Sequence, residues 1–300
     1  MATWKGQSRG SILGYKIFIA ILKISGLPLA YLLLRFVAFY YFIAAPASFR
    51  NIFYFYRRRL GWGFFRSVIA VYRNYYVFGQ VILDKTASMG GFDARFTFDF
   101  DGEPYLREMV ADRTGGLLIS AHTGNFEMAG HMLERLDTQV NIIMLDAEHR
   151  KIKQYLSAFT RKSFQIIPIR EDNSHIYGIK MALERREITC MHGDRFLPGS
   201  KVITRDFLGE KAIFPTGPFY LAMKYGVPVS FVFAMKERNR HYHFYATPPK
   251  FYLQQGTVGK REEMLATIVD DYITALEKKV MEYPYQWFNY YNFWNESAGI

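Results

Sequence analysis

The chain has 300 residues, half of them apolar and 18% aromatic, and its 38 Lys and Arg against 27 Asp and Glu give a formal charge of +11. That length holds one large domain, or a domain with an appendage, and supplies a sizeable core. The lone cysteine, Cys190, excludes an internal disulfide framework and a cysteine-built zinc site; the charge calls for an anionic partner, nucleic acid, anionic lipid or an acidic carrier protein, and the lack of zinc-finger, RNA-motif or basic-zipper spacing, with Arg57, Arg58 and Arg59 beside the most apolar segment, favours membrane over nucleic acid.

The first predicted elements are apolar. Ile12–Ile24 is amphipathic and carries Lys16 and Lys23, and Ile24–Ser48 has Arg35 as its only charge. About 20 apolar residues suffice to span a bilayer, but a central arginine costs roughly 2.5–3.5 kcal/mol there. Two arrangements fit: one spanning helix, or a pair of helices lying in one leaflet. Basic residues on both flanks, including Arg57, Arg58 and Arg59, tie the segment to anionic lipid without choosing a topology. Residues 1–60 are therefore expected to form a membrane-anchoring helical segment, followed by another helix over Gly61–Lys85.

From Arg95 the texture changes. Arg95–Phe100 alternates like a half-buried strand, and Gly116–Ser120, Val140–Leu145, Phe164–Pro168, Ile188–Met191 and Val227–Phe233 are short apolar strand candidates. Helical patterns fit between them at Asn125–Leu136, Lys151–Lys162 and Ser174–Arg185. His241–Thr247 reads as an added edge strand and Arg261–Glu282 as a closing helix. The rhythm predicts an α/β domain over 61–300, with a mostly parallel central sheet flanked by helices.

The stretch that carries chemistry is Gly115–Gly130, GGLLISAHTGNFEMAG. A buried strand runs into the polar turn His122–Thr123–Gly124–Asn125, and reactive groups in open α/β sheets gather at such strand ends. A neutral imidazole there can take the proton of a hydroxyl, and a carboxylate on its other nitrogen fixes the tautomer. Glu127 is the nearest candidate for that carboxylate. On one straight helix the two residues would point about 140° apart, so they meet only if His122 folds back over the first turn. Asn125 is placed to cap the helix, whose free N–H groups suit an oxyanion or a phosphate. A second strand end carries His192–Arg195 (HGDR), and Asp206–Pro218 (DFLGEKAIFPTGP) leads into another helix.

Taken together, the His-x4-Glu block, the Asp-containing strand end, the Phe-Leu-Gly…Pro-Thr-Gly block and the Pro284, Gln286, Trp287 motif resemble the bacterial lipid A late acyltransferases, within the wider glycerolipid acyltransferases. The resemblance implies acyl transfer from a thioester of acyl carrier protein or coenzyme A to a hydroxyl or amine of a membrane lipid, at the cytoplasmic side of an inner membrane, with no metal or redox cofactor. It implies His122 as base with Glu127 as partner, Asp194 shaping the acceptor site, Thr216 and Gly217 lining the cleft, and Arg150, Arg161 or Arg195 near acceptor phosphates. Two departures point to a different acceptor: Asp194-Arg195 replaces the usual Asp-Gln, and Asn289–Trp294 (NYYNFW) replaces the usual basic ending.

Two other classes compete. A metal hydrolase could draw on His122, Glu127, His131, His192 and Asp194, but no His pair has the one-turn helical spacing of zinc hydrolases. A membrane-surface binding protein would need only the basic, aromatic face.

Overall fold

The computed structural model describes residues 12–91, 95–129, 133–145, 164–170, 172, 174–197, 199–253 and 258–294. Helix α1 (Ile12–Ala44) joins the two apolar runs read from the sequence, and it kinks where they meet: Gly26 has φ 70°, and Pro28 lacks an N–H for the ladder. Helices α2 (Pro46–Tyr54), its π-helical extension Phe55–Arg59, and α3 (Phe64–Met89) follow.

The sheet then begins. Strands β1 (Thr97–Asp101), β2 (Gly116–Ser120), β3 (Val140–Leu145), β4 (Phe164–Ile169), β5 (Ile188–His192), β8 (Val229–Arg238) and β9 (His241–Ala246) form seven strands in the order β1-β9-β8-β2-β5-β3-β4. Five run parallel; β9 is antiparallel to β8, and β1 is parallel to β9. β9 is thus one place in from the edge that the sequence assigned to it, and β1 is outermost. The outermost strand alternates partly buried and exposed residues, whereas central β2 is buried at all five positions, as a strand covered on both faces must be.

Helices α4 (Glu103–Ala111), α5 (Ser174–Glu184), α6 (Gly217–Tyr225) and α7 (Val258–Glu282) cover the sheet. Alternation along β2 separates two cores. Leu117 and Ile119 pack with Phe219 of α6, Tyr272 and Leu276 of α7, and Ile52, Phe55 and Tyr56 from the second helix and its extension. Leu118 faces Leu106, Met109, Tyr242 and Phe244. The Phe-Leu-Gly block, to which the sequence assigned no secondary structure, forms a hairpin of β6 (Val202–Phe207) and β7 (Glu210–Pro215), turning at Leu208 and Gly209 with φ 51° and 77°.

A buried ionic knot ties α1 to this body. Asp84 of α3 accepts hydrogen bonds from Tyr31 of α1, from Lys236 of β8 and, at 2.5 Å, from Tyr242 of β9. Asp84 is fully enclosed and the Lys236 side chain only 5% exposed, so removing one partner strands the other charge. Asp84→Ala is expected to lower unfolding stability by about 3–5 kcal/mol in denaturant titration; a loss below about 1 kcal/mol would mean that Lys236 reaches water.

Candidate active site

The register of β2 against β5 builds the site. Ser120 lies opposite His192, so the two residues beyond each strand end, His122 and Asp194, become neighbours although 72 positions apart. His122 Nδ1 lies 2.9 Å from Asp194 Oδ1, and the His122 backbone N–H donates to Asp194 Oδ2 at 2.9 Å. Asn289 Nδ2 adds a third bond to Oδ2 at 3.3 Å. Burial alone would raise the Asp194 carboxyl, but the His122 charge and hydrogen bond, with Arg195 behind them, hold it well below the usual carboxylate range. An ionised carboxylate only accepts, so Nδ1 carries a proton, and in the neutral ring the lone pair is therefore on Nε2.

The turn is locked on three sides. Gly124 has φ 63°, and a Cβ there would meet Ala234 O at 2.1 Å, so only glycine fits. Asn125 N–H donates to Ala234 O at 2.7 Å and Gly124 N–H to Gln286 O at 3.0 Å. Thr123 Oγ1 donates to Gln286 O, Thr123 bridges Trp287, and Phe288 N–H donates to His122 O. The Gln286 amide in turn brackets the Lys236 backbone, accepting from its N–H at 2.9 Å and donating to its O at 2.7 Å. The Pro-Tyr-Gln-Trp motif therefore acts as a splint for the turn.

Several sequence expectations change on this geometry. The carboxylate on His122 is Asp194, not Glu127: the described residues after Asn125 form a turn at 126–129 rather than a regular helix, and Glu127 pairs with Lys85 of α3. Asn125 is 1% exposed and spends its Nδ2 on Val81 O and Tyr242 Oη, both at 3.1 Å. The free N–H groups expected at a helix start after Asn125 belong instead to the turn at 126–129, where Met128 N–H donates to Asn125 O at 3.0 Å and Ala129 N–H to Phe126 O at 3.1 Å; the N–H groups of His122, Gly124 and Asn125 just before it are engaged as well. Arg195 donates to Asn289 Oδ1 at 3.0 Å and to Phe288 O at 3.3 Å, and sits over the Tyr291 ring, so it fastens the C-terminal segment beside Asp194. Thr216 is buried with its hydroxyl on Lys201 O, and Gly217 opens α6; neither bonds to the His122 turn. Arg150, Arg161 and His131 lie outside the described residues.

Sequence reasoning missed Asn289, which holds both Asp194 and Arg195. Its signal was present in the departure from the basic ending after Trp287. It also missed the part played by His192, whose ring centroid is 4.4 Å from those of His122 and Phe126. Burial, helped by the His122 charge, pushes the His192 pKa down to about 3. The unfolded chain takes up that proton first, near pH 6.5, so stability is complete above 6.5 and falls as pH drops toward 3, by up to about 1.4 kcal/mol per unit. His192→Gln should remove most of that slope between pH 6.5 and 4, measured as the unfolding midpoint; an unchanged slope would mean a charged His192 is tolerated.

Ligand atoms of His122, His192 and Asp194 lie within 4.8 Å of one another, a spacing a metal could use, as do those of Asp99, Glu237 and His241. The first group suits proton transfer better, because Asp194 already takes three hydrogen bonds. Burial pushes the Cys190 thiol up to about 12, too high for it to serve as a thiolate nucleophile at neutral pH. A surface depression of about 400 Å³ lined by Arg59, Trp62, Glu277 and Met281 among others shares no residue with the His122 turn.

No curated protein matches the chain. Among solved structures, the 1-acyl-sn-glycerophosphate (LPA) acyltransferase PlsC from Thermotoga maritima is similar at 14% identity and a TM-score of 0.38, over 87% of this chain and 97% of that one. A likeness that distant carries no argument about fold or chemistry. The bacterial lipid A biosynthesis acyltransferase family matches residues 74–295, a stretch that opens in α3 and takes in the His122 turn, the Asp194 strand end, the hairpin and the Gln286–Asn289 splint. The chain belongs to the bacterial lipid A biosynthesis acyltransferases, and is an acyltransferase acting on lipids.

Proposed function

We propose that this chain moves a fatty acyl group from a thioester of acyl carrier protein or coenzyme A onto a hydroxyl or amine of a membrane lipid, with His122 as general base. The observation that carries the reading is the bond from His122 Nδ1 to the enclosed, ionised Asp194, with the His122 side chain still 16% exposed. Nε2 removes the acceptor proton as the acceptor oxygen or nitrogen attacks the thioester carbonyl. The tetrahedral intermediate collapses and expels the thiolate, which takes the proton back from the imidazolium, giving ester or amide and free thiol. Glu127, paired with Lys85, flanks the turn as a contact for the acceptor.

The acceptor is a lipid A precursor or another glycolipid or amino-acid lipid, met at the cytoplasmic face of an inner membrane where acyl thioesters are available. Arg195 in place of the family's glutamine favours an acceptor other than the lipid A precursor through the C-terminal segment that it and Asn289 fasten beside Asp194, not by touching the acceptor itself. Mass spectrometry of lipid extracts from cells with and without the gene tests this. One lipid class lighter by a single acyl chain is expected in the deletion, and an unchanged lipid profile would contradict it.

A further inference from the structure

Residues 1–83 hold eleven Lys and Arg and no Asp or Glu, so the entire net charge of +11 lies there and residues 84–300 balance to zero. The same stretch contains α1, of which Ile17–Ala44 is long and apolar enough to cross a bilayer. What α1 is fastened to argues against its crossing. Tyr31, at the midpoint of that run, hydrogen-bonds Asp84, which is paired with Lys236 on β8 and joined through Tyr242 to Asn125 in the His122 turn. Leu22, Leu27, Ala30 and Leu34 pack with Leu83 and Ala87 of α3, and Tyr72 Oη donates to Arg35 O. The helix is tied lengthwise to the catalytic body. Placing its midpoint at the bilayer centre would drag Asp84, Lys236 and the adjoining parts of β8 and β9 into hydrocarbon, at a cost of at least about 2.5–3.5 kcal/mol per ion.

The outward side of the same unit is built for lipid. Phe36, Phe39, Tyr40 and Ile43 of α1 are 55–69% exposed, and Phe64, Phe65 and Ile69 of α3 are 59–80% exposed. Ring contacts run without a break from Phe39 through Phe42, Phe49 and Phe53 to Phe64 and Phe65, so these are one patch. Arg35, Arg57, Arg58, Arg66 and Arg73 are exposed in the same helical unit, as suits a partner whose headgroups are anionic phosphates.

We infer that α1 does not cross the membrane: it lies in the plane of one leaflet, and its outer face with the first turns of α3 forms a single aromatic surface sunk into anionic lipid. The anchoring surface thus continues past residue 60 to Ile69, and it holds the His122 turn at headgroup depth. The inference rests on the lipid-acceptor reading for its purpose, but its test needs no acyl-transfer assay, so either can fail alone.

Single cysteines before and after α1 in the sequence, Ser8→Cys and Ala47→Cys in a Cys190→Ser background, are labelled with a membrane-impermeant maleimide in sealed vesicles of known sidedness, against the detergent-solubilised total. The in-plane helix predicts labelling of both from the same side, in a ratio near one; labelling from opposite sides overturns it. Phe64→Ser combined with Phe65→Ser, both exposed and therefore unneeded for folding, should weaken sedimentation of the full chain with phosphatidylglycerol vesicles at least about tenfold. Unchanged sedimentation, with circular dichroism unaltered, would remove α3 from the surface.

Discussion

His122→Ala should lower kcat/KM for acyl transfer by about 10²–10⁴-fold while leaving fold and membrane binding intact. The selectivity of that loss follows from how the residue is held. Its backbone N–H is bonded to Asp194 and its backbone O to Phe288 N–H, so truncating the ring leaves the turn's main-chain bonds in place. What disappears is the Nε2 lone pair, the group that removes the acceptor proton. A membrane-surface binding protein would retain its biological activity after this change, so the same variant separates the two classes.

Asp194→Asn should cost about as much, roughly 10²–10⁴-fold, because neither orientation of the amide satisfies the pocket. If the new NH₂ faces the imidazole, Nδ1 must accept, the proton moves to Nε2 and the base is lost. If it faces the other way, the NH₂ meets the His122 N–H and Asn289 Nδ2, both donors. The informative comparison is Glu127→Gln. Its carboxylate is about one-fifth exposed and bonded to Lys85, an interaction worth about 1 kcal/mol or less, so the expected loss is below tenfold. Should Glu127→Gln match His122→Ala while Asp194→Asn does little, Glu127 is the orienting partner during turnover and the pairing seen here gives way on substrate binding.

Much of this was legible in the sequence for definite physical reasons. β2 and β5 are short, mainly apolar runs because both faces are covered, and β1 alternates because it is outermost. The long periodic helices at 64–89 and 258–282 announced themselves in the same way. His122 stood out because a turn rich in small polar residues follows a buried strand. Its partner did not, since local spacing favours Glu127 and only the β2–β5 register brings Asp194 across. Asn289 was hidden for a similar reason: its bonds reach residues 94 and 95 positions away. The β6–β7 hairpin was obscured because Leu208-Gly209 supplies the positive-φ turn without the usual Asn-Gly signature.

The central claim is tested most directly by incubating the purified full chain with an acyl thioester and a membrane lipid extract, following free thiol and the mass of the lipids together. One thiol released per acyl group gained by a single lipid class, both abolished in His122→Ala, is the predicted result. Thiol release with no acylated lipid, or acylation undiminished in that variant, would contradict it.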